Sequence, residues 1–360
     1  MNAIARLNEY GQSPWYDNLN RAFITEGGLA HMIAQDGIRG ATSNPTIFEK
    51  AVGGSDAYDE QFARLVSDGA STADIYWDLM LTDIDKGCET FRSVFDEADG
   101  GDGFVSVECD PTIAYDTEAT IEQARELHQR VGRPNVMIKI PGTEAGLPAI
   151  EQMISEGRNV NVTLIFSVDR YDAVIEAYLR GLERLAENGG DLSRVASVAS
   201  FFVSRVDTET DRRLPEGHEL RGKAAVANAR LAYRLFRQRF AGERWQALAN
   251  QGARLQRPLW ASTSTKNPEY SDTLYVDELV GRDTVNTLAD DSIVALRDHG
   301  DPQPDTVEQG DPDAVLEALA EAGVDMADVT DTLEREGVEK FSQSFHDCMD
   351  TLEKRRGELA

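Results

Sequence analysis

Strand-like runs and helical runs alternate along most of this chain, and a series of βα units has few ways to close. Trp15-Tyr16-Asp17 and Gly37 to Thr42 read as strands, and Asn44-Pro45 then reads as a helix start, with asparagine at N-cap and proline at N1. Ser71-Thr72-Ala73-Asp74 has the form of a capping box ahead of a helix to about Phe95. Further strands are expected at Phe104–Cys109, Asn135–Ile140, Val160–Phe166, Val195–Val203, Leu259–Ser264 and Thr284–Thr287. Helical sequence lies between them: Asp116–Val131, Glu144–Ser155, a segment capped by Ser167 and running to about Glu187, and Glu219–Ala249. Eight strands each followed by helical sequence fit an α/β fold of the (β/α)8 (TIM) barrel type better than an open doubly wound sheet. No strand is followed by Gly-x-Gly-x-x-Gly, which counts against dinucleotide binding. Past a linker at Asp301-Pro302-Gln303-Pro304-Asp305, helices are expected near Asp313–Ala322, Asp325–Glu334 and Val338–Arg355. The expectation is one domain over residues 1–360, with a barrel core at about 13–299 and added C-terminal helices at about 305–357.

Composition narrows the partners. Of 360 residues, 64 are acidic and 36 basic, for a net charge of −28. That sign disfavours nucleic acid and anionic membranes. The acids are scattered rather than blocked, which fits a heavily hydrated surface in a saline cytoplasm; a surface for a basic partner is the other reading. No stretch of about 18 apolar residues exists to span a membrane. Residues 1–10 lack the apolar centre of a signal peptide. Three cysteines, Cys88, Cys109 and Cys348, have neither metal-ligand nor disulfide spacing. A reducing, cytoplasmic setting is the simplest reading.

The residue that points to chemistry is Lys139, set inside the apolar run Asn135-Val136-Met137-Ile138-Lys139-Ile140-Pro141. If both faces of that strand are covered, Lys139 loses water, and desolvation disfavours its ammonium form. A neutral amine can attack a carbonyl and form a Schiff base. From this segment alone, a lysine that snorkels to water or pairs at a sheet edge stands as the alternative. Strand parity adds companions. In Phe104–Asp110, Ser106, Glu108 and Asp110 share one face; in Asn159–Leu164, Asn159, Asn161 and Thr163 do. A barrel strand turns its apolar face to the helices, so these polar side chains point inward and converge with Lys139. Ser200 and Phe202 share a face on the next strand, and Ser264 and Lys266 on the one after. A lysine, a carboxylate and hydroxyls brought together suit carbonyl chemistry.

These segments resemble the transaldolase family, in its longer bacterial form. The resemblance rests on Ser13-Pro14-Trp15-Tyr16-Asp17-Asn18-Leu19, Ala41-Thr42-Ser43-Asn44-Pro45-Thr46, Val105-Ser106-Val107-Glu108, Met137-Ile138-Lys139-Ile140-Pro141-Gly142-Thr143, Asn161-Val162-Thr163-Leu164-Ile165-Phe166-Ser167 and Ser200-Phe201-Phe202-Val203-Ser204-Arg205. It implies aldol transfer through a lysine Schiff base in the pentose phosphate pathway, acting on small sugar phosphates without metal or cofactor. Lys139 would carry a dihydroxyacetone unit taken from a ketose phosphate. Asp17 would move the proton of the C4 hydroxyl. Glu108, through a water on Thr163, would serve Schiff-base formation. Asn44, Asn161 and Ser200 would hold substrate hydroxyls, and Arg205, Ser264 and Lys266 the phosphate. Asn44 reads equally well as a helix cap and as a ligand, and Ser200 as packing. Many members carry arginine where this chain has Lys266, which exchanges a bidentate fork for a point charge. Phe202 stands where the fructose 6-phosphate aldolase branch typically has tyrosine, which favours transfer over simple cleavage. That aldolase activity, or a non-catalytic sugar-phosphate-binding barrel, is the competing expectation. The oligomeric state stays open between monomer and homodimer.

Overall fold

The computed structural model describes residues 2–43 and 45–359. Eight parallel strands close into a barrel in chain order: β1 (Gln12–Tyr16), β2 (Gly40–Thr42), β3 (Phe104–Glu108), β4 (Val136–Pro141), β5 (Val160–Ile165), β6 (Ser197–Phe202), β7 (Gln256–Ala261) and β8 (Thr284–Leu288). β8 returns to pair with β1, so the sheet has no free edge. Val105, Val107, Ile138, Ile140, Val160 and Val162 are fully buried, as expected of the strand parity that faces the helices. At the N-terminal end of the strands, Asp102 accepts from the Trp15 indole (2.9 Å) and pairs with Arg257 (3.4 Å). This ion-paired floor leaves the opposite, C-terminal mouth for chemistry.

Most expected elements fall within a few residues of their positions. The Ser71 capping box is present: its hydroxyl accepts from Asp74 N–H at 3.1 Å, and the Asp74 carboxylate accepts from Ser71 N–H at 3.3 Å. Ser167 caps its helix likewise, accepting from Arg170 N–H at 3.0 Å. Four expectations need correction, the first being that the helical sequence Glu219–Ala249 is two helices, Ala224–Arg239 and Glu243–Ala249. The helix from Thr72 ends at Thr90, and a short one, Arg92–Glu97, follows. Strand β7 ends at Ala261, so Ser264 and Lys266 lie on the loop beyond it. The segments Asp325–Glu334 and Val338–Arg355 are one helix, Met326–Leu359, of 34 residues.

That last helix runs unbroken through Gly337 because a close approach needs the glycine: a Cβ there would lie 3.0 Å from Leu164 Cδ2. On its buried side, Val338, Phe341, Phe345, Cys348 and Leu352 recur at the three- and four-residue steps of a packed helix stripe. Phe345 meets Tyr76 edge to face (5.0 Å between ring centres), and Tyr76 meets Phe48 in the same way (5.3 Å). The C-terminal helix is thereby clamped against the helices Pro45–Gly54 and Thr72–Thr90, near the barrel mouth.

Candidate active site

Parallel pairing sets the site. In the register, Glu108 of β3 lies opposite Lys139 of β4, and Lys139 lies opposite Asn161 of β5. Paired residues on neighbouring strands share a face, so the three side chains point together into the barrel. Lys139 Nζ stands 3.1 Å from Glu108 Oε2, and the two side chains are only 7% and 3% exposed. Such burial answers whether Lys139 snorkels: it does not. A hydrogen-bonded row continues around the wall, with Asn161 Nδ2 donating to Ser106 Oγ (3.0 Å) and Ser200 Oγ donating to Asn161 Oδ1 (2.7 Å). Thr163 pairs with Pro141, one inward step nearer the mouth. Beyond it Leu164 takes φ +57° and the β5–β6 register shifts between Val162 and Ile165. Glu108 Oε1 and Thr163 Oγ1 are both buried without a hydrogen-bond partner among the described residues.

Asp17 follows directly on β1 and is half-buried, with Thr42 Oγ1 donating to its Oδ1 at 2.5 Å. Burial pushes its carboxyl above the ordinary aspartate range, against the pull of Lys139, the Thr42 hydroxyl and Arg205. Glu108 is raised in the same way, by desolvation that outweighs Lys139 and Arg205. Two carboxylates with raised proton affinity therefore flank one amine, a setting for proton transfer in both directions.

Arg205 has the opposite strand parity from Ser200, and the turn after β6 brings it to the site. Strand β6 ends at Phe202, a helix spans Ser204–Arg213, and Arg205 falls in its first turn. Its guanidinium stacks near the rings of Phe202 (5.0 Å) and Phe341 (5.7 Å) and makes no hydrogen bond or ion pair among the described residues. Ser264 and Lys266 reach the same cavity, about 350 Å³ in volume, from the loop after β7; Ser264 Oγ lies 3.2 Å from Ser292 Oγ. Asn44, expected to bind a hydroxyl or cap a helix, lies outside the described residues. A second cavity of about 450 Å³ adjoins and shares Asp17, Ile47, Lys50 and Ala289.

The structure adds residues that the sequence reading passed over. Thr42 has inward parity on the short strand β2 and donates to Asp17. Lys50, Lys340 and Phe341 come from helices, where strand parity says nothing; all three line the cavity. Phe341 sets its ring 5.7 Å from Lys139 Nζ. Among the described residues, no group of three or more histidine, cysteine, aspartate or glutamate side chains is gathered as metal ligands would be. No helix among them is long and apolar enough to cross a membrane.

Comparison with known proteins places this geometry. The transaldolase of Acidothermus cellulolyticus is 53% identical over 348 residues, covering 95% of this chain and 94% of that protein. That of Saccharopolyspora erythraea is 50% identical, covering 97% of this chain and 96% of its own. That of Mycolicibacterium paratuberculosis is 50% identical over 98% and 97%. The sequence profile of the Transaldolase/Fructose-6-phosphate aldolase family matches residues 14–352, so the lysine, its carboxylate and the barrel around them are those of a member: the chain belongs to the Transaldolase/Fructose-6-phosphate aldolase family.

Proposed function

We propose that this protein is a transaldolase, moving a dihydroxyacetone unit from a ketose phosphate (fructose 6-phosphate or sedoheptulose 7-phosphate) to an aldose phosphate (erythrose 4-phosphate or glyceraldehyde 3-phosphate) through a Schiff base on Lys139. The observation that carries the reading is the buried Lys139–Glu108 contact of 3.1 Å beside the unpartnered Glu108 Oε1 and Thr163 Oγ1. Glu108, raised by burial, takes a proton from the Lys139 ammonium, and the free amine attacks the ketone carbon. A water bridging Glu108 Oε1 and Thr163 Oγ1 carries protons as the carbinolamine loses hydroxide and becomes the iminium.

Asp17 then accepts the proton of the C4 hydroxyl. The C3–C4 bond breaks, its electron pair flows into the iminium, and the aldose phosphate leaves. The enamine stays on Lys139, with its hydroxyls held by Asn161 and Ser200. Attack of C3 on the acceptor aldehyde, with Asp17 returning its proton, forms the new bond. Water then releases the product ketose. Arg205, Lys266 and Ser264 hold the phosphate in both half-reactions. The setting is the pentose phosphate pathway of a cytoplasm, which suits three free, buried cysteines.

Phe202 at the cavity wall favours transfer over release. The test is acceptor dependence. With fructose 6-phosphate alone, little free dihydroxyacetone should accumulate. Adding erythrose 4-phosphate should start sustained formation of sedoheptulose 7-phosphate. Rapid release of dihydroxyacetone without acceptor would make the protein an aldolase instead.

A further inference from the structure

The chain uses lysine sparingly. It has seven lysines among its 36 basic residues, at 50, 86, 139, 223, 266, 340 and 354. Four of them, Lys50, Lys139, Lys266 and Lys340, line the one cavity at the barrel mouth. Ion pairing elsewhere is left to arginine and a single histidine: among the described residues, Lys139 is the only lysine in an ion pair. A chain that places only three lysines elsewhere and gathers four here concentrates its ammonium groups at this place.

Lys340, like Lys50, comes from a helix rather than from a strand motif. It belongs to the C-terminal helix, three residues past Gly337, whose close approach to Leu164 fixes the helix over the end of β5. The next residue, Phe341, is buried between Lys139 and Arg205, 5.7 Å from each charged centre. One turn on, Ser344 Oγ accepts a hydrogen bond from Thr46 at 2.7 Å. Lys340 is thus delivered to the cavity by a helix anchored on both sides of it. It is close enough to Arg205, and then to Lys266, that their charges and some loss of water at the cavity hold its ammonium below the ordinary lysine range. Arg205, Lys266 and Lys340 make no ion pair among the described residues, although the chain holds 64 acids. Asp17 and Glu108 act on Arg205 from a distance, but none of the three cations has a carboxylate in direct contact among the described residues, which leaves their charge available to an anion from outside the protein.

We infer that Lys340 is a third cation of the phosphate site, so that the C-terminal helix takes part in selecting phosphorylated over neutral sugars. The inference rests on the transaldolase reading for the identity of the ligand, a sugar phosphomonoester. It also explains how Lys266, a point charge, suffices beside Arg205: a second ammonium on the far element shares the dianion.

The test compares catalytic efficiency for fructose 6-phosphate with that for fructose, at fixed ionic strength, in wild type, Lys340→Gln and Lys340→Arg. Lys340 is exposed, so the variants should fold. Lys340→Gln should lower the ratio on the order of tenfold, the loss of one charge-assisted hydrogen bond, carried by KM. Lys340→Arg should recover most of it. Calorimetry with inorganic phosphate should show a matching loss of affinity in Lys340→Gln. An unchanged ratio and unchanged phosphate affinity would make Lys340 a solvent-facing charge. Equal losses with both sugars would make it a packing residue of the helix. If wild type fails to turn over fructose 6-phosphate with erythrose 4-phosphate, the transaldolase reading fails, and the phosphate calorimetry still decides whether Lys340 belongs to an anion site.

Discussion

Glu108 and Lys139 each compensate the other's burial. Removing either partner leaves an uncompensated charge in a dry wall, so charge removal must be distinguished from loss of chemistry. Glu108→Gln keeps the shape and an acceptor oxygen while removing the carboxylate proposed to shuttle protons. We expect the chemical step to slow by about 10²–10⁴-fold with the fold retained; an unfolded variant would assign Glu108 to structure, and normal turnover would remove it from the reaction. Both carboxyls are raised by burial, Glu108 and Asp17 alike. The acidic limb of kcat/KM should therefore lie above the ordinary carboxylate range, with activity appearing as pH rises through the raised values. A limb at or below the ordinary range would deny both groups a base role. Arg205→Ala should raise KM for phosphorylated sugars and spare fructose. If both substrates lose equally, Arg205 is a packing residue. Much of this site was legible in the sequence, because a strand's two-residue parity assigns faces without knowing the fold: Glu108, Lys139, Asn161 and Thr163 follow from it. Lys340, Phe341 and Lys50 were not, because a residue on a helix has no parity relation to the barrel.

At the scale of elements, the helix Ser204–Arg213 shows why one element escaped the sequence. Its buried face carries Asp207, Glu209, Thr210 and Asp211, with Val206 as its single apolar side chain, so there is no apolar periodicity to read. Those acids tie loops together. Asp207 accepts from Ala225 N–H (2.8 Å) and the Tyr275 hydroxyl (2.9 Å). Asp211 accepts from Gly222 N–H (2.9 Å) and the Tyr270 hydroxyl (2.6 Å). Since Arg205 lies in the first turn of this helix and Lys266 rides the loop that Tyr270 anchors, the two residues proposed to hold phosphate share one support. Burial pushes the Asp207 carboxyl up to about 6 from its ordinary 3.8. The native state then binds a proton that the unfolded chain releases over this interval. The stabilising share of Asp207 is complete below its unfolded value and is lost as pH rises through about 6. In total that is about 3 kcal/mol, at about 1.4 kcal/mol per unit. Urea titrations of wild type and Asp207→Asn should show the variant gaining relative to wild type by roughly this amount between about pH 4 and 7. A difference independent of pH would place the Asp207 titration outside this range. The C-terminal helix was read from sequence as two pieces because Gly337 interrupts the helical pattern; only the tertiary contact with Leu164 shows the glycine to be a point of close packing.

For the whole molecule, net charge and site charge have opposite signs. The surface at −28 repels an anionic substrate, while the mouth concentrates cations. Self-repulsion should ease as salt shortens the screening length from about 30 Å at 0.01 M to about 8 Å at 0.15 M. The melting temperature should therefore rise over that range. A fall would mean that the arginine–carboxylate pairs, which salt also weakens, outweigh the excess of acids. The repeated βα order made the closed barrel legible early, since eight such units leave little choice of topology.

The Schiff base itself is tested most directly by trapping it. Borohydride reduction in the presence of fructose 6-phosphate, followed by peptide mass mapping, should leave a reduced dihydroxyacetone adduct on the peptide that contains Lys139 and on no other. Lys139→Arg, which keeps a charge that cannot be released at working pH, should give no adduct and no turnover. An adduct on another lysine, or an active Lys139→Arg protein, would contradict the mechanism.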